Sequence, residues 1–298
     1  MDNGTDEFWV ELRRARDRRV LADAVLVLEA MRIPHRMEHH NRMWRLEVPS
    51  GHEANARAEL DRYDAENRQL PPHRPKVHRF DNGWAGVLGY LVVIWLLPNL
   101  EGWAAFGWDW RESGVMNAEL VREGQWWRTV TALTLHADLG HIAGNSFFGA
   151  LFGIFLGRYL GSGLGWLLVV VGASLANLAN AWLQTPPFVS LGASTATFAV
   201  LGLTGTFVWR RGYLRGRNWR QSFAPLFAAI ALLVYTGVGG VRTDIMAHFL
   251  GFAAGAVGGV LAATYDIRRL GSSGQWIAGA LTLWLIGYAW LQAGTYAT

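Results

Sequence analysis

The sequence contains no cysteine. Disulfides, thiolate nucleophiles and thiolate metal sites are therefore excluded together, although nothing follows about compartment. Charge is scarce as well, but only in one part. Residues 1–80 carry most of it, and from Gly83 onward the chain is a series of long apolar runs. The acidic, polar start from Met1 to Glu7 shows no cleavable signal peptide. What is plentiful fits a bilayer: 51% hydrophobic residues, 35 Gly and 16 Trp. Small residues suit helix contacts in lipid, and Trp suits the interfaces. The formal charge of +4 rests largely on Arg in short loops. Such an excess sets membrane topology, and no nucleic-acid partner is expected.

Residues 1–70 read as a small soluble α+β domain of βαββα order. Phe8–Leu12 alternates like a strand, and Arg18–Met31 is apolar at helical spacing. Arg36–His40 and Met43–Val48 form a hairpin around Asn41-Arg42. Ser50, with Glu53 three residues on, predicts a capped helix to about Asn67. His35, His39 and His40 belong to a solvated hairpin, so neither a metal nor a cofactor is assigned. The domain reads as regulatory or interacting. A linker over 71–82 follows, marked by Pro71, Pro72 and Pro75.

Residues 83–298 hold seven hydrophobic spans, at about 84–98, 140–157, 162–183, 191–209, 222–239, 245–264 and 275–293. Runs near 20 residues match a hydrocarbon core roughly 30 Å thick. The fold class is an all-α polytopic membrane protein. Gln184-Thr-Pro-Pro187 is a tight turn between the third and fourth spans. The connection Glu101–Asp138, with Trp103, Trp108, Trp110, Trp126 and Trp127, reads as amphipathic and interface-seeking. Arg158 follows the second span, Arg210, Arg211, Arg215, Arg217 and Arg220 the fourth, and Arg268 and Arg269 the sixth. The connections after the third and fifth hold only Arg242. The positive-inside rule then puts the N-terminal domain in the cytoplasm of a multi-pass cell (inner) membrane protein, and the C-terminus outside.

Polar residues within spans are functional candidates. His141 and Asn145 share a face of the second span at i and i+4. Gly192-Ala193-Ser194-Thr195 opens the fourth. The sixth carries His248 beside Gly251, Gly255 and Gly259. Each cluster has a structural reading when taken singly: Ser and Thr bond back to a carbonyl one turn earlier, and glycines every fourth residue pack helices. Their combination reads differently, because the topology puts His141, Ser194 and His248 at similar depth near the outer surface. A serine nucleophile needs a hydrogen-bonded base, and a glycine stripe lets a neighbouring helix come close enough to supply one. Ser194 at a helix start has free N–H groups for an oxyanion, and His141 and Asn145 add side-chain donors. His136, Asp138, His141, Gln184 and Thr243-Asp244 would keep such a cavity wet.

With these residues in view, the chain resembles the rhomboid family of intramembrane serine proteases. The family's GxSx motif matches Gly192-Ala193-Ser194-Thr195. Its AHxxGxxxG helix matches Ala247-His248 through Gly255, its HxxxN element His141 to Asn145, and its Trp-Arg pair Trp127-Arg128. The resemblance implies a six-helix core plus one C-terminal helix and a Ser194–His248 dyad. It implies an oxyanion hole of His141, Asn145 and the Ser194 N–H, and a water-filled site opening outward (periplasmic). Transmembrane protein substrates would be met in the lipid bilayer. Thr195 departs from the Gly that many relatives carry, and Phe198 stands where an aromatic ring stacks on the imidazole.

Other chemistries fit less well. A zinc enzyme would need HExxH, and after His52-Glu53 stands Ala56 where a second ligand belongs. Tyr265-Asp266 has no second intramembrane Asp to form a carboxylate pair. A transporter would show two related halves, and no internal repeat is visible. A rhomboid-like pseudoenzyme that binds or chaperones membrane clients remains the alternative, and the presence of both Ser194 and His248 argues against it.

Overall fold

The computed structural model describes residues 8–67, 79–213 and 244–296. The chain divides into two units, Met1–Pro72 and His73–Thr298.

The first unit is a three-stranded antiparallel sheet with two helices. Strands β1 (Trp9–Ala15), β2 (Arg36–His40) and β3 (Met43–Pro49) stand in the order β1-β3-β2, accompanied by α1 (Ala22–Ala30) and α2 (Glu53–Asn67). Leu46 and Val48, alternate residues of β3, pack with Leu21, Leu28, Ala56 and Leu60. Burial of these side chains on one sheet face is what fixes the register. Asn41 and Arg42 take left-handed backbone at the tip of the β2–β3 hairpin, as a two-residue turn of primed type requires. β1 runs three residues beyond the expected Leu12. Ser50 does not cap α2: it lies inside a short 3₁₀ turn, Pro49 holds the cap position, and no side chain bonds there. His39 tilts against Trp44 at 4.8 Å between ring centres, and His35 Nδ1 lies 3.0 Å from the Ile33 carbonyl oxygen.

The second unit is helical. Its long helices are α3 (Trp84–Gly102), α7 (Leu139–Leu160), α8 (Ser162–Leu183), α9 (Ser194–Arg211), α10 (Ile245–Thr264) and α11 (Gly271–Gly294). Between α3 and α7 lie three short helices, α4 (Trp110–Gly114), α5 (Ala118–Arg122) and α6 (Arg128–Thr131). Among the described residues, α3, α7, α8, α10 and the stretch Ile267–Gly294 are long and apolar enough to cross a membrane. Large apolar side chains such as Leu88, Phe147, Leu175, Phe249 and Leu283 face outward. Such a surface is stable against lipid rather than water. The span expected over 222–239 lies outside the described residues.

α9 is the exception to the apolar rule. It carries Ser194, Thr195, Thr197, Thr204 and Thr206 and ends on Arg210 and Arg211. It tolerates those hydroxyls because α7, α8 and α10 pack around it, and most of its residues are buried. A helix enclosed by helices needs no lipid-facing surface. It begins at Ser194, three residues later than the hydrophobic run suggested.

The 101–138 connection is also less superficial than its composition suggests. Trp103 is exposed, but Trp110 and Trp127 are buried against Trp290 and Tyr296. The two-residue strand β4 (Met116–Asn117) pairs with β5 (Val189–Ser190), just before α9. Arg128, buried at 3% exposure, donates from Nη1 to the carbonyls of Glu112 and Val115 at 2.6 and 2.9 Å, and from Nε to Gln125. The guanidinium thereby satisfies carbonyls left open at a helix end.

Candidate active site

Ser194 is the first residue of α9. The turn before it depends on Gly192, whose φ of +132° is one that side chains rarely adopt. Gly192 donates its N–H to the Ala132 carbonyl at 2.8 Å, which ties the turn to the end of the 128–134 segment. The Thr197 N–H and hydroxyl both reach the Ala193 carbonyl, so the helix starts with that acceptor filled. The Ser194 N–H makes no hydrogen bond among the described residues, as expected of a first-turn amide.

His248 stands in the first turn of α10, which Asp244 caps by accepting the Ala247 N–H at 2.9 Å. α10 lies against α9 because its glycines leave room. A Cβ at Gly251 would come within 3.1 Å of Thr195 Cγ2 and closer still to the Thr195 carbonyl oxygen. Cβ atoms at Gly255 and Gly259 would collide with the Ala199 and Leu203 carbonyls. Backbone approaches this close are typical of small-residue stripes. The Thr206 hydroxyl fastens the same pair, 3.0 Å from the Ala256 carbonyl. The His248 ring lies 4.4 Å, centre to centre, from Phe198. Phe198 and Ser194 are i+4 and i on α9 and share a face. The imidazole therefore lies over the helix face that carries Ser194.

The other two candidates sit on α7. The His141 ring abuts Gly192: a Cβ there would be 2.7 Å from His141 Nε2. Asn145, one turn along the same face, is 6% exposed, and its Nδ2 has no hydrogen-bond partner among the described residues. Its carbonyl accepts from the Tyr90 hydroxyl at 2.9 Å. A buried amide donor left unpaired is costly, and groups of this kind call for a functional account. Asp138 caps α7, accepting the His141 N–H at 2.8 Å. Both carboxylates expected to keep the cavity wet, Asp138 and Asp244, thus serve as helix caps.

Of two further neighbours, Asn180 was not singled out from the sequence, whereas His136 was expected to help keep the cavity wet. Asn180, fully buried in α8, donates to the second Asp244 oxygen at 2.7 Å and so secures the start of α10. Its signal was the polar pair Asn177 and Asn180 within an apolar span. His136 is 5% exposed with its ring 5.3 Å from that of His141. Burial, reinforced by repulsion from a charged His141 and partly offset by the Thr134 backbone, pushes its pKa down to about 4. It is neutral at neutral pH.

Apolar helices of spanning length, gathered around one polar helix that starts at a serine, define a polytopic helical membrane protein. The Rhomboid domain model matches residues 123–265. The chain is 29% identical over 170 residues to YdcA of Bacillus subtilis, provisionally named a rhomboid protease, covering 57% of this chain and 82% of that one. It is 26% identical over 189 residues to "Rhomboid protease GluP" of the same organism, covering 62% of this chain and 35% of GluP. It is 28% identical over 145 residues to "Rhomboid-like protease 1" of Toxoplasma gondii, covering 48% of this chain and 49% of the relative. The chain therefore spans about a third of one of these relatives and about half of another. Residues 123–265 thus carry the match to the Rhomboid domain, and the chain is similar to proteins named rhomboid proteases.

Proposed function

We propose that this protein is an intramembrane serine endopeptidase acting on transmembrane proteins through Ser194 and His248. The observation that carries the reading is the meeting of α9 and α10, where Gly251 against Thr195 and Phe198 against His248 bring the imidazole over the serine's helix face. In the reaction, Ser194 Oγ attacks the scissile carbonyl while His248 takes its proton, and a tetrahedral oxyanion forms. Collapse breaks the C–N bond as His248 returns the proton to the leaving amine, leaving an acyl-enzyme. Water, deprotonated by His248, then attacks the ester and releases the acid and the free serine.

The oxyanion would lie among the Ser194 N–H, the Asn145 amide and His141. The unpaired Asn145 Nδ2 favours this, since it is a donor already desolvated and held ready. The positive end of α9 adds to the same field. Names of the relatives support proteolysis as the activity class. Arginine placement supports an N-terminal domain in the cytoplasm and a site opening to the opposite side. Cleavage of a model transmembrane substrate in detergent by wild type and Ser194→Ala tests the reading. Absence of both cleavage and active-serine labelling in wild type would instead favour a client-binding role.

A further inference from the structure

The chain approaches Ser194 through residues 189–192, and two contacts hold that approach. Strand β5 pairs with β4, and the Gly192 N–H donates to the Ala132 carbonyl at 2.8 Å. Both supports lead back to one side chain of the last helix. Trp290 of α11, 6% exposed, donates its indole N–H to the Thr134 hydroxyl at 3.1 Å. That hydroxyl donates in turn to the Thr131 carbonyl at 2.7 Å, beside the 3₁₀ turn Ala132–Thr134 that presents the Ala132 carbonyl. An indole N–H can only donate, and a hydroxyl donates once and accepts, so the pair is matched in one orientation. The second route runs through Gly114, where a Cβ would collide with the Trp290 ring. Gly114 ends α4 just before β4, and its carbonyl accepts the Thr131 hydroxyl at 2.6 Å. Ala289 and Ala293, both fully buried, let α11 come close enough for this reach.

We propose that Trp290 is a positioning residue for Ser194: through Thr134 and Gly114 it braces both supports of the turn before the nucleophile. This role rests on Ser194 being the nucleophile. It makes α11 part of the apparatus that sets the serine's place, beyond its service as a further membrane helix. The surroundings leave no easy substitute for the indole, since Thr131 and Leu135 are fully buried and Thr134 nearly so. Loss of its N–H leaves an unmatched hydroxyl and a void at the foot of the turn, and close-packed neighbours shift only partly to fill it. Small displacements of this kind matter more to a nucleophile than to a fold, because reaction needs near-attack geometry. Trp110 stacks obliquely on the same ring at 4.7 Å between centres, so an aromatic side chain at 290 keeps its packing even without the hydrogen bond.

The test uses the purified full chain, with folding checked by circular dichroism. Trp290→Phe keeps a ring beside Trp110 and removes the N–H, Thr134→Val removes the acceptor, and Thr134→Ser keeps it. Trp290→Phe and Thr134→Val should each lower kcat about tenfold with KM little changed, and slow fluorophosphonate labelling of Ser194 by the same factor. The double variant should be no slower than either single one, because both act through one bond. Thr134→Ser should keep wild-type rates. Gly114→Ala, which pushes on the indole from the other side, should reproduce the loss. Trp284→Phe, at an exposed position of α11, is the control and should change neither rate. Backbone amide exchange reads the same link without turnover: residues 189–194 should exchange several-fold faster in Trp290→Phe than in wild type. Wild-type rates in folded Trp290→Phe, additive losses in the double variant, or unchanged exchange would overturn the proposal. A wild type that neither cleaves nor labels would instead sink the protease reading, and exchange would still decide whether Trp290 holds the turn.

Discussion

Gly251 faces the main-chain carbonyl of Thr195, the residue after the proposed nucleophile, with no room between them for a side chain. α10 meets the start of α9 backbone to backbone, and His248 lies one turn before that contact.

Gly251→Leu should therefore separate base from nucleophile. A misplacement of about 1 Å lowers rates roughly 100-fold, and cleavage should fall at least that far. Gly287→Leu is the matched control: that glycine is exposed on α11 and a Cβ there meets nothing within 4 Å. Cleavage assays on both, with helicity checked by circular dichroism, decide the point. Full activity in Gly251→Leu would show that catalysis does not depend on this contact.

Asn145→Ala separates function from stability. Its amide bonds to nothing in the described residues, so removal should leave thermal stability unchanged or higher. An oxyanion donor is worth roughly 100–1,000-fold in kcat. Activity should drop within that range but stay measurable, because His141 and the Ser194 N–H remain. A large loss of stability with kcat unchanged would assign Asn145 to packing.

His136 gives the protein a pH dependence of known sign. Its folded pKa, about 4, lies below the ordinary histidine value of 6.5. Between those values the unfolded chain binds more protons, so the contribution is complete above about pH 6.5 and is lost as pH falls toward 4. The whole effect is roughly 3 kcal/mol. Denaturation midpoints across this window should decline with acidity, and His136→Gln should flatten the slope. An equal slope in both proteins would place the titration elsewhere.

Orientation is open to reporter fusions. A reporter near Gly216 should read as cytoplasmic and one near Pro186 as external. The reverse would turn the site toward the cytoplasm.

The membrane helices were legible because their signal is local, in length and apolarity, whereas the capping roles of Asp138 and Asp244 were not read from the sequence. The Ser194 turn was legible as Gly-x-Ser at the start of a span. What escaped depends on partners far off in the chain. The bond from Asn180 to Asp244 joins residues 64 apart. Inward-facing Trp110 and Trp127 have the same composition as interface-facing Trp103, and only packing on Trp290 and Tyr296 distinguishes them. The polarity of α9 made it the weakest hydrophobic run, yet its enclosure by α7, α8 and α10 explains both its hydroxyls and its place at the site.

The most direct measurement is cleavage of a transmembrane substrate by purified wild type, Ser194→Ala, His248→Ala and the double variant. Nucleophile and base act as a unit, so their losses do not add. Each single variant should lose nearly all turnover, the double should be no worse, and a fluorophosphonate should label wild type at Ser194 and His248→Ala much less. Cleavage that persists in Ser194→Ala, with contaminating proteases excluded, would contradict the account.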